Sequence, residues 1–115
     1  MKMNMTILAV AAMGVLQAET LTWTGNGGNA NMSTAGNWEP QQVPASGDSL
    51  VFGGTAACQV PYNDLEGVTF NGLTFKTNGV GEAAAYTFSG NRLMVNGNIL
   101  GDQPATDVTQ TFDLV

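Results

Sequence analysis

The sequence predicts an all-β protein, a β-solenoid whose first coil carries an N-terminal capping region. Three observations favour this class. Short apolar runs alternate with period two, which is typical of half-buried strands. Gly and Asn separate the runs, and similar strand segments recur after about 20 residues, a period typical of stacked coils. An antiparallel β-sandwich is the alternative, because short strands with frequent turns also build that fold.

Residues 1–18 are predicted to form a helical signal peptide, separate from the fold. Lys2 places a positive charge ahead of an apolar run from Met5 to Leu16. That run is too short for a membrane span, which needs about 20 apolar residues, and it matches the apolar region of a signal peptide. Ala18 is the kind of small residue that precedes a cut, so cleavage is expected between Ala18 and Glu19. A buried amphipathic helix is the alternative, but the apolar residues are contiguous and not confined to one face.

The rest of the chain is predicted to consist of two segments after the signal peptide at residues 1–18. Residues 19–48 are expected to form an N-terminal strand and a capping loop rich in Gly, Asn and Pro. Residues 49–115 are expected to form the solenoid coils. An apparent strand at the end of the sequence would leave an unpaired apolar edge, which predicts that the coils are truncated there.

Seven apolar pairs with period two mark the strands of the mature chain. The members of a pair are two residues apart, so both side chains point to the same face of a strand. Most are aromatic, β-branched or leucine residues, which suit a pleated, half-buried surface. In chain order the pairs are Leu21 and Trp23, Leu50 and Phe52, Val68 and Phe70, Leu73 and Phe75, Tyr86 and Phe88, Leu93 and Val95, and Phe112 and Leu114.

Self-similarity between segments favours the solenoid over the sandwich. Thr69-Phe70-Asn71-Gly72 recurs as Thr87-Phe88-Ser89-Gly90. Leu73-Thr74-Phe75 is similar to Leu93-Met94-Val95 at nearly the same offset, and a third Thr-Phe step stands at Thr111-Phe112. Coils that repeat in this way share a continuous core when they stack.

Four Asn-Gly steps are predicted to supply left-handed backbone, since Gly and Asn reach positive φ at little cost. They would form either the corners of a solenoid or the two-residue turns of hairpins. The steps are Asn26-Gly27, Asn71-Gly72, Asn78-Gly79 and Asn96-Gly97.

The long segment between Gly25 and Gly47 is expected to be an ordered loop that covers the first coil. Gly, Asn, Ser, Thr, Ala and Pro dominate it. A bare coil exposes strand edges and apolar side chains, so a solenoid needs such a cover. Trp23 and Trp38 are the candidate capping residues, and the same two side chains are the candidate glycan contacts.

One segment, from Thr22 to Gly54, carries a resemblance to a known family: TWTGNGGNANMSTAGNWEPQQVPASGDSLVFGG. It resembles the N-terminal part of bacterial proteins with autotransporter-associated β-strand repeats, which are autotransporter passenger-like. The later segments LTFKTNG and YTFSGNRLMVNGNIL are similar to the repeat of that family. The residues that carry the resemblance are Trp23, Gly25, Asn37, Trp38, Pro44, Gly47, Asp48, Phe52, Gly53 and Gly54.

The resemblance implies a right-handed parallel β-helix that is exported to the cell surface or the extracellular space, with the periplasm as the alternative. Members of the family are usually much longer, and they often end in an outer-membrane barrel or a sorting tail. This sequence contains neither feature. It is therefore expected to be the N-terminal piece of a longer protein, a truncated gene or a gene-model fragment.

Composition argues against several kinds of catalytic and binding site. The chain has no histidine and one cysteine, which excludes a Ser-His-Asp triad, a His-ligated zinc site and an internal disulfide. Three basic residues stand against nine acidic ones, and the resulting net charge of −6 argues against nucleic-acid binding. No catalytic residue, cofactor, metal site or membrane span of the mature chain is predicted.

Two further features are weaker candidates for chemistry. Asp64 and Glu66 could ligate calcium, but the spacing of a calcium loop is missing, and solvated loop carboxylates are the simpler interpretation. Cys58 is expected to be a buried residue of a strand, since no basic residue lies near it in sequence to activate the thiol.

Three functions remain open on these observations. The first is an exported, non-enzymatic β-solenoid segment, scaffold-like or adhesin-like, whose partners are surface glycans or further β-solenoid repeats of a longer chain. The second is a carbohydrate-binding module or the N-terminal part of a polysaccharide-active β-helix enzyme. The third is a fragment with no independent function.

Overall fold

The computed structural model describes residues 17–76, 84–102 and 109–114. Within these ranges the chain is all-β, with ten short strands and one turn of 3-10 helix. A helix that could cross a membrane is not found in the described part of the chain. In chain order the elements are β1 (Thr20–Trp23), the 3-10 turn (Ala35–Asn37), β2 (Trp38–Glu39), β3 (Ser49–Gly53), β4 (Tyr62–Asn63), β5 (Thr69–Phe70), β6 (Gly72–Lys76), β7 (Thr87–Gly90), β8 (Met94–Val95), β9 (Ile99–Asp102) and β10 (Thr111–Leu114). Residues 1–16 of the predicted signal peptide lie outside the described residues.

The strands stack as the coils of a β-solenoid of about three turns. On the first face β1, β3, β6 and β9 are successive neighbours, and all three pairs are parallel. β4, β7 and β10 form a second parallel sheet, and β5 and β8 form a third. The chain therefore advances by one strand on each face with every turn. This topology confirms the predicted β-solenoid and excludes the antiparallel β-sandwich.

Equivalent residues of successive coils pair in register on the first face. Leu21 pairs with Leu50, Leu50 with Leu73, and Leu73 with Ile99. The three coils that these pairs delimit differ in length, the first being the longest and the second the shortest. Because parallel pairing in register places each inward side chain against its counterpart, the core is built as columns that run along the solenoid.

Phe52 of β3 stands at the centre of an aromatic core and is fully buried. Its ring centroid lies 4.9 to 6.4 Å from those of five other aromatic residues. Three of the five meet it edge-to-face, which is a favoured geometry for aromatic pairs. The five residues are Trp23, Trp38, Phe75, Tyr86 and Phe88. Phe52 thus joins the first, second and third coils in one core.

The three Asn-Gly steps that the structure describes, at 26–27, 71–72 and 96–97, do not supply left-handed backbone, contrary to the prediction. A Cβ at Gly97 would collide with the backbone oxygen of Asn71, so this glycine is needed for the close approach of two coils. The step at 78–79 lies outside the described residues. Among the described residues, those with positive φ are all glycines, and they are Gly25, Gly28, Gly47, Gly67 and Gly90.

Of the three sequence repeats predicted to stack on one another, one pairs in the structure and two do not. Thr111-Phe112 pairs directly with Thr87-Phe88 in the second sheet. Thr69 pairs with Met94, and not with Thr87. Leu73 pairs with Ile99 rather than with Leu93. The two wrong repeats matched segments that lie on different faces of the solenoid.

Replacing Phe52 by Ala is expected to lower the free energy of unfolding by about 3–5 kcal/mol, because it leaves a cavity between coils. Val51→Ala is the matched control, since Val51 is the half-buried neighbour on the outward side of β3. We expect this control to cost about 1 kcal/mol. Urea denaturation followed by tryptophan fluorescence measures both losses, and equal losses would contradict a core organised around Phe52.

Candidate functional site: the two ends of the solenoid

The first coil is covered at the end of the solenoid that faces away from the second coil. β2 pairs with β1 in the antiparallel direction and places Trp38 opposite Trp23. On the second face, Asn31 forms a parallel bridge with Tyr62 of β4. Residues 20–48 therefore complete the first coil and protect its strand edges, and we call them the closed end.

Trp23 and Trp38 lie in the core of the closed end, and each is 1% exposed. Their ring centroids are 5.0 Å apart in an edge-to-face arrangement. Trp23 Nε1 donates to the Cys58 carbonyl at 2.7 Å, and Trp38 Nε1 donates to the Met32 carbonyl at 2.9 Å. Both rings pack inward with their single donors satisfied. Neither ring presents a face on which a sugar could stack.

Asn37 is a fully buried amide that ties the closed end together. Its Nδ2 donates to the carbonyls of Asn29 and Asn31 at 3.1 and 2.9 Å. Its Oδ1 accepts a hydrogen bond from the Gly27 N–H at 2.7 Å. Asn37 thereby satisfies backbone groups that a loop without regular pairing would otherwise bury unpaired.

Asn63 and Asp64 connect neighbouring coils in a similar way. Asn63 Nδ2 donates to the Asn91 carbonyl at 2.9 Å. Asp64 Oδ1 accepts from the Ser33 N–H at 2.9 Å, and its Oδ2 accepts from the Ser33 hydroxyl. Glu66 is exposed, and the described residues contain no group of three or more possible metal ligands. The Asp64 carboxylate is thus engaged by the fold itself.

Gly25 is required where the closed end crosses the second coil. Its φ is +70°, and a Cβ there would lie 2.6 Å from the backbone nitrogen of Cys58. The Ala57 N–H donates to the Thr24 carbonyl at 2.8 Å, which holds the two segments together. Cys58 is half-buried and lies between β3 and β4, so the prediction that it belongs to a buried strand is wrong.

Tyr86 is a buried titratable residue in the core, with 1% of its surface exposed. Its hydroxyl donates to the Gly53 carbonyl, and its ring meets Phe52 edge-to-face. Burial raises the pKa of the Tyr86 hydroxyl, and the electrostatic interaction with the Cys58 side chain raises that pKa further. The phenol therefore stays protonated in the folded state and acts as a structural hydrogen-bond donor.

The last described coil exposes apolar side chains. Ile99, Leu100 and Phe112 are 58%, 53% and 43% exposed. Ile99 pairs in register with the buried Leu73, and the Phe112 ring stacks on Phe88 with centroids 5.0 Å apart. Within the described residues, β9 and β10 each have a neighbouring strand on one side. We call β9, β10 and their apolar side chains the open end.

The predicted cleavage site lies on the surface at the start of β1. Ala18 and Glu19 are exposed. The Glu19 N–H donates to Asp48 Oδ1 at 2.9 Å, and the Glu19 carbonyl accepts from the Ser49 N–H at 2.9 Å. Asp48 is 3% exposed, and its Oδ2 accepts from the Ala45 N–H at 2.9 Å. The hydrogen bonds of the first sheet thus begin at the residue that follows the predicted cut.

No family model, curated protein or solved structure matches this chain. The resemblance to autotransporter-associated repeat proteins therefore remains a prediction from the quoted motifs.

Sequence reasoning missed the structural roles of three buried polar side chains. Asn37 immediately precedes β2, Asp48 immediately precedes β3, and Asn63 ends β4. A polar residue directly beside a short strand is the sequence signal that could have identified them. Such residues hold the backbone where a strand gives way to a corner.

Tyr86→Phe is expected to remove most of the stability loss that occurs at alkaline pH. The unfolded phenol ionises at about pH 10, while the folded one stays protonated, so the free energy of unfolding falls as the pH rises above about 10. Below that pH the contribution is complete, and the variant should lose about 1 kcal/mol with its hydrogen bond.

The measurement is urea denaturation at about pH 8 and about pH 11. Tyr62→Phe is the control, because Tyr62 is 45% exposed and its removal should leave the alkaline loss unchanged. An alkaline loss of the same size in Tyr86→Phe and the wild type would contradict the burial argument.

Proposed function

We propose that this chain forms the first coils of an exported, non-enzymatic β-solenoid and acts as a scaffold segment of a bacterial surface or secreted protein. The observation that carries the proposal is the difference between the closed end and the open end. A solenoid with one covered end and one uncovered end is suited to begin a stack of coils. Export is supported by the signal-peptide pattern of residues 1–18.

The partner of the open end is a further parallel β-coil. Ile99 occupies the position that Leu50 and Leu73 occupy in the buried column of the preceding coils. The Phe112 ring is stacked on Phe88 at an interplanar angle of 8° and is 43% exposed. A coil that continued these columns would cover both side chains and would pair with β9 and β10. The open end therefore has the same character as the coil–coil interfaces already formed within the chain.

A structural role accounts for the buried polar side chains. The side-chain oxygens and nitrogens of Asn37, Asp48 and Asn63 are bound to backbone groups of the fold. Their hydrogen-bonding capacity is used to hold loops and corners in place. We further propose a right-handed winding, since connections between parallel strands of one sheet are right-handed in about 98% of cases.

Export and cleavage are tested by expressing the full chain in a Gram-negative bacterium and sequencing the amino terminus of the exported protein. We expect it to begin at Glu19. Ala18→Leu should block this cut, because signal peptidases need a small residue before the cleaved bond. Glu19→Gln is the control and should be processed normally. Full-length protein retained in the cytoplasm would contradict the proposal.

Stacking at the open end is tested by adding one coil in register. β10 pairs with β7, and Leu114 stands opposite Gly90, so a second copy of residues 91–114 inserted after Leu114 continues the path of the chain. The added coil should raise Tm by roughly 5 °C or more, because each coil interface adds stability. Thermal unfolding followed by circular dichroism measures the change.

Two substitutions in the original copy separate inward from outward positions. Ile99→Asp places a charge in the inward column and should abolish the gain in Tm from the added coil. Leu100→Asp is the control, because Leu100 pairs with the half-buried Thr74 on the outward side. A separate unfolding transition of the added coil in the unsubstituted chain would refute stacking at the open end.

A further inference from the structure

We propose that Asp48 is the docking site for the amino terminus that is created by cleavage after Ala18. The inference rests on the cleavage site in the proposed function and adds a binding partner for a buried carboxylate. The ligand is the α-ammonium group of Glu19 in the mature protein. Its site is already formed in the uncut chain, where the Glu19 N–H donates to Asp48 Oδ1 at 2.9 Å.

Asp48 holds its carboxylate in a fixed position. The side chain is 3% exposed, and Oδ2 accepts from the Ala45 N–H at 2.9 Å. Its backbone carbonyl accepts from the Asn71 N–H at 2.8 Å, which fixes the residue to the next coil. Glu19 is fixed as well, because its carbonyl accepts from the Ser49 N–H at 2.9 Å. The donor and acceptor are therefore aligned by β1 and β3 before any cleavage.

Hydrolysis of the Ala18–Glu19 bond changes the charge of the donor. Water adds a hydroxyl group to the Ala18 carbonyl carbon, the C–N bond breaks, and the Glu19 nitrogen takes the remaining proton of the water and leaves as an amine. The amine binds a proton at neutral pH and becomes an ammonium group with three N–H donors. The hydrogen bond of the uncut chain already has a charged acceptor, and the ammonium group adds a charged donor, so cleavage introduces a direct attraction between opposite charges. A buried carboxylate bound by amides thus gains a counter-charge.

Removal of the leader also makes room at this site. A cavity of about 330 Å³ borders the Asp48 side chain. Gln17 and Ala18 form part of its wall and leave with the signal peptide. The remaining lining residues are Gln42, Val43, Ala45, Ser46 and Asp48. The new ammonium group would face this space while keeping its contact with Asp48.

Within the described ranges, few other charged groups lie near the pair. The remaining lining residues carry no titratable side chain apart from Asp48, and neither do β3 and residues 69–71, which pack against it. The exposed Glu19 carboxylate is the other titratable group on the docking segment. Lys76 pairs in register with Gly53 at the far end of β3. Of the charged groups in the described part of the chain, Asp48, Glu19 and the new amino terminus are therefore the ones that lie at this site.

The inference makes cleavage a stabilising step, and it is tested on the full chain with a protease recognition sequence placed directly before Glu19. A protease that cuts after its recognition sequence then releases the leader from the folded protein and leaves a free Glu19. Tm is measured before and after the cut, in the wild type and in Asp48→Asn. This design compares two states of the same molecule, so a lower basal stability of Asp48→Asn does not affect the comparison.

Cleavage is expected to raise Tm of the wild type by about 5 °C or more at about pH 6. The gain should be complete below about pH 7.5 and should disappear by about pH 10, because folding holds the amine protonated while the unfolded terminus loses its proton near pH 8. In Asp48→Asn the cut should change Tm little. Acetylation of the new terminus by an N-terminal acetyltransferase should abolish the gain.

The inference is overturned if the wild type gains nothing on cleavage, or if the gain persists in Asp48→Asn or at about pH 10. If Asp48→Asn does not fold, the pH dependence and the acetylated form decide the outcome in its place. The proposed function fails separately, when the exported protein does not begin at Glu19. Docking of the terminus is measured in purified protein and is independent of that result.

Discussion

Parallel stacking in register is the constraint on which the rest of this structure depends. Each inward side chain must fit the equivalent side chains of the coils before and after it. The residue type at an inward position therefore depends on the residues at the same position in the neighbouring coils. The column through Leu21, Leu50 and Leu73 is aliphatic, and the neighbouring column through Phe52 and Phe75 is aromatic. The same constraint explains Gly97, where a Cβ would meet the backbone of the coil below. Outward side chains are not subject to this packing constraint, and their residue types vary more.

Coils of unequal length can share one core because buried polar side chains form hydrogen bonds with the backbone of the irregular loops. Successive coils of the first face differ in length, yet their strands remain in register. The additional residues lie in loops and corners, whose backbone groups find few partners in a neighbouring strand. Buried amides and carboxylates supply those partners at Asn37, Asp48 and Asn63. The regular sheets and the irregular connections are therefore stabilised by different kinds of residue.

Much of the fold could be predicted from local pattern, and most of the site could not. Alternation marked strands such as Leu50 with Phe52 because period two reports which residues share a face. Register was harder, since Thr69-Phe70 and Thr87-Phe88 look alike but lie on different faces. Strands of two residues such as β2 are too short to show a period. The Asp48 carboxylate and the Glu19 N–H come from distant parts of the chain, and such pairs leave no trace in one sequence.

The short strand β2 also limits which strand edges of the first sheet can pair with another molecule. This strand has only two residues and covers the edge of β1 that β3 leaves free. Pro40, which directly follows β2, lacks an N–H donor and cannot extend the pairing. The β9 strand of one molecule therefore finds no free β1 edge on another. Head-to-tail contacts, which propagate into filaments, are blocked at this face.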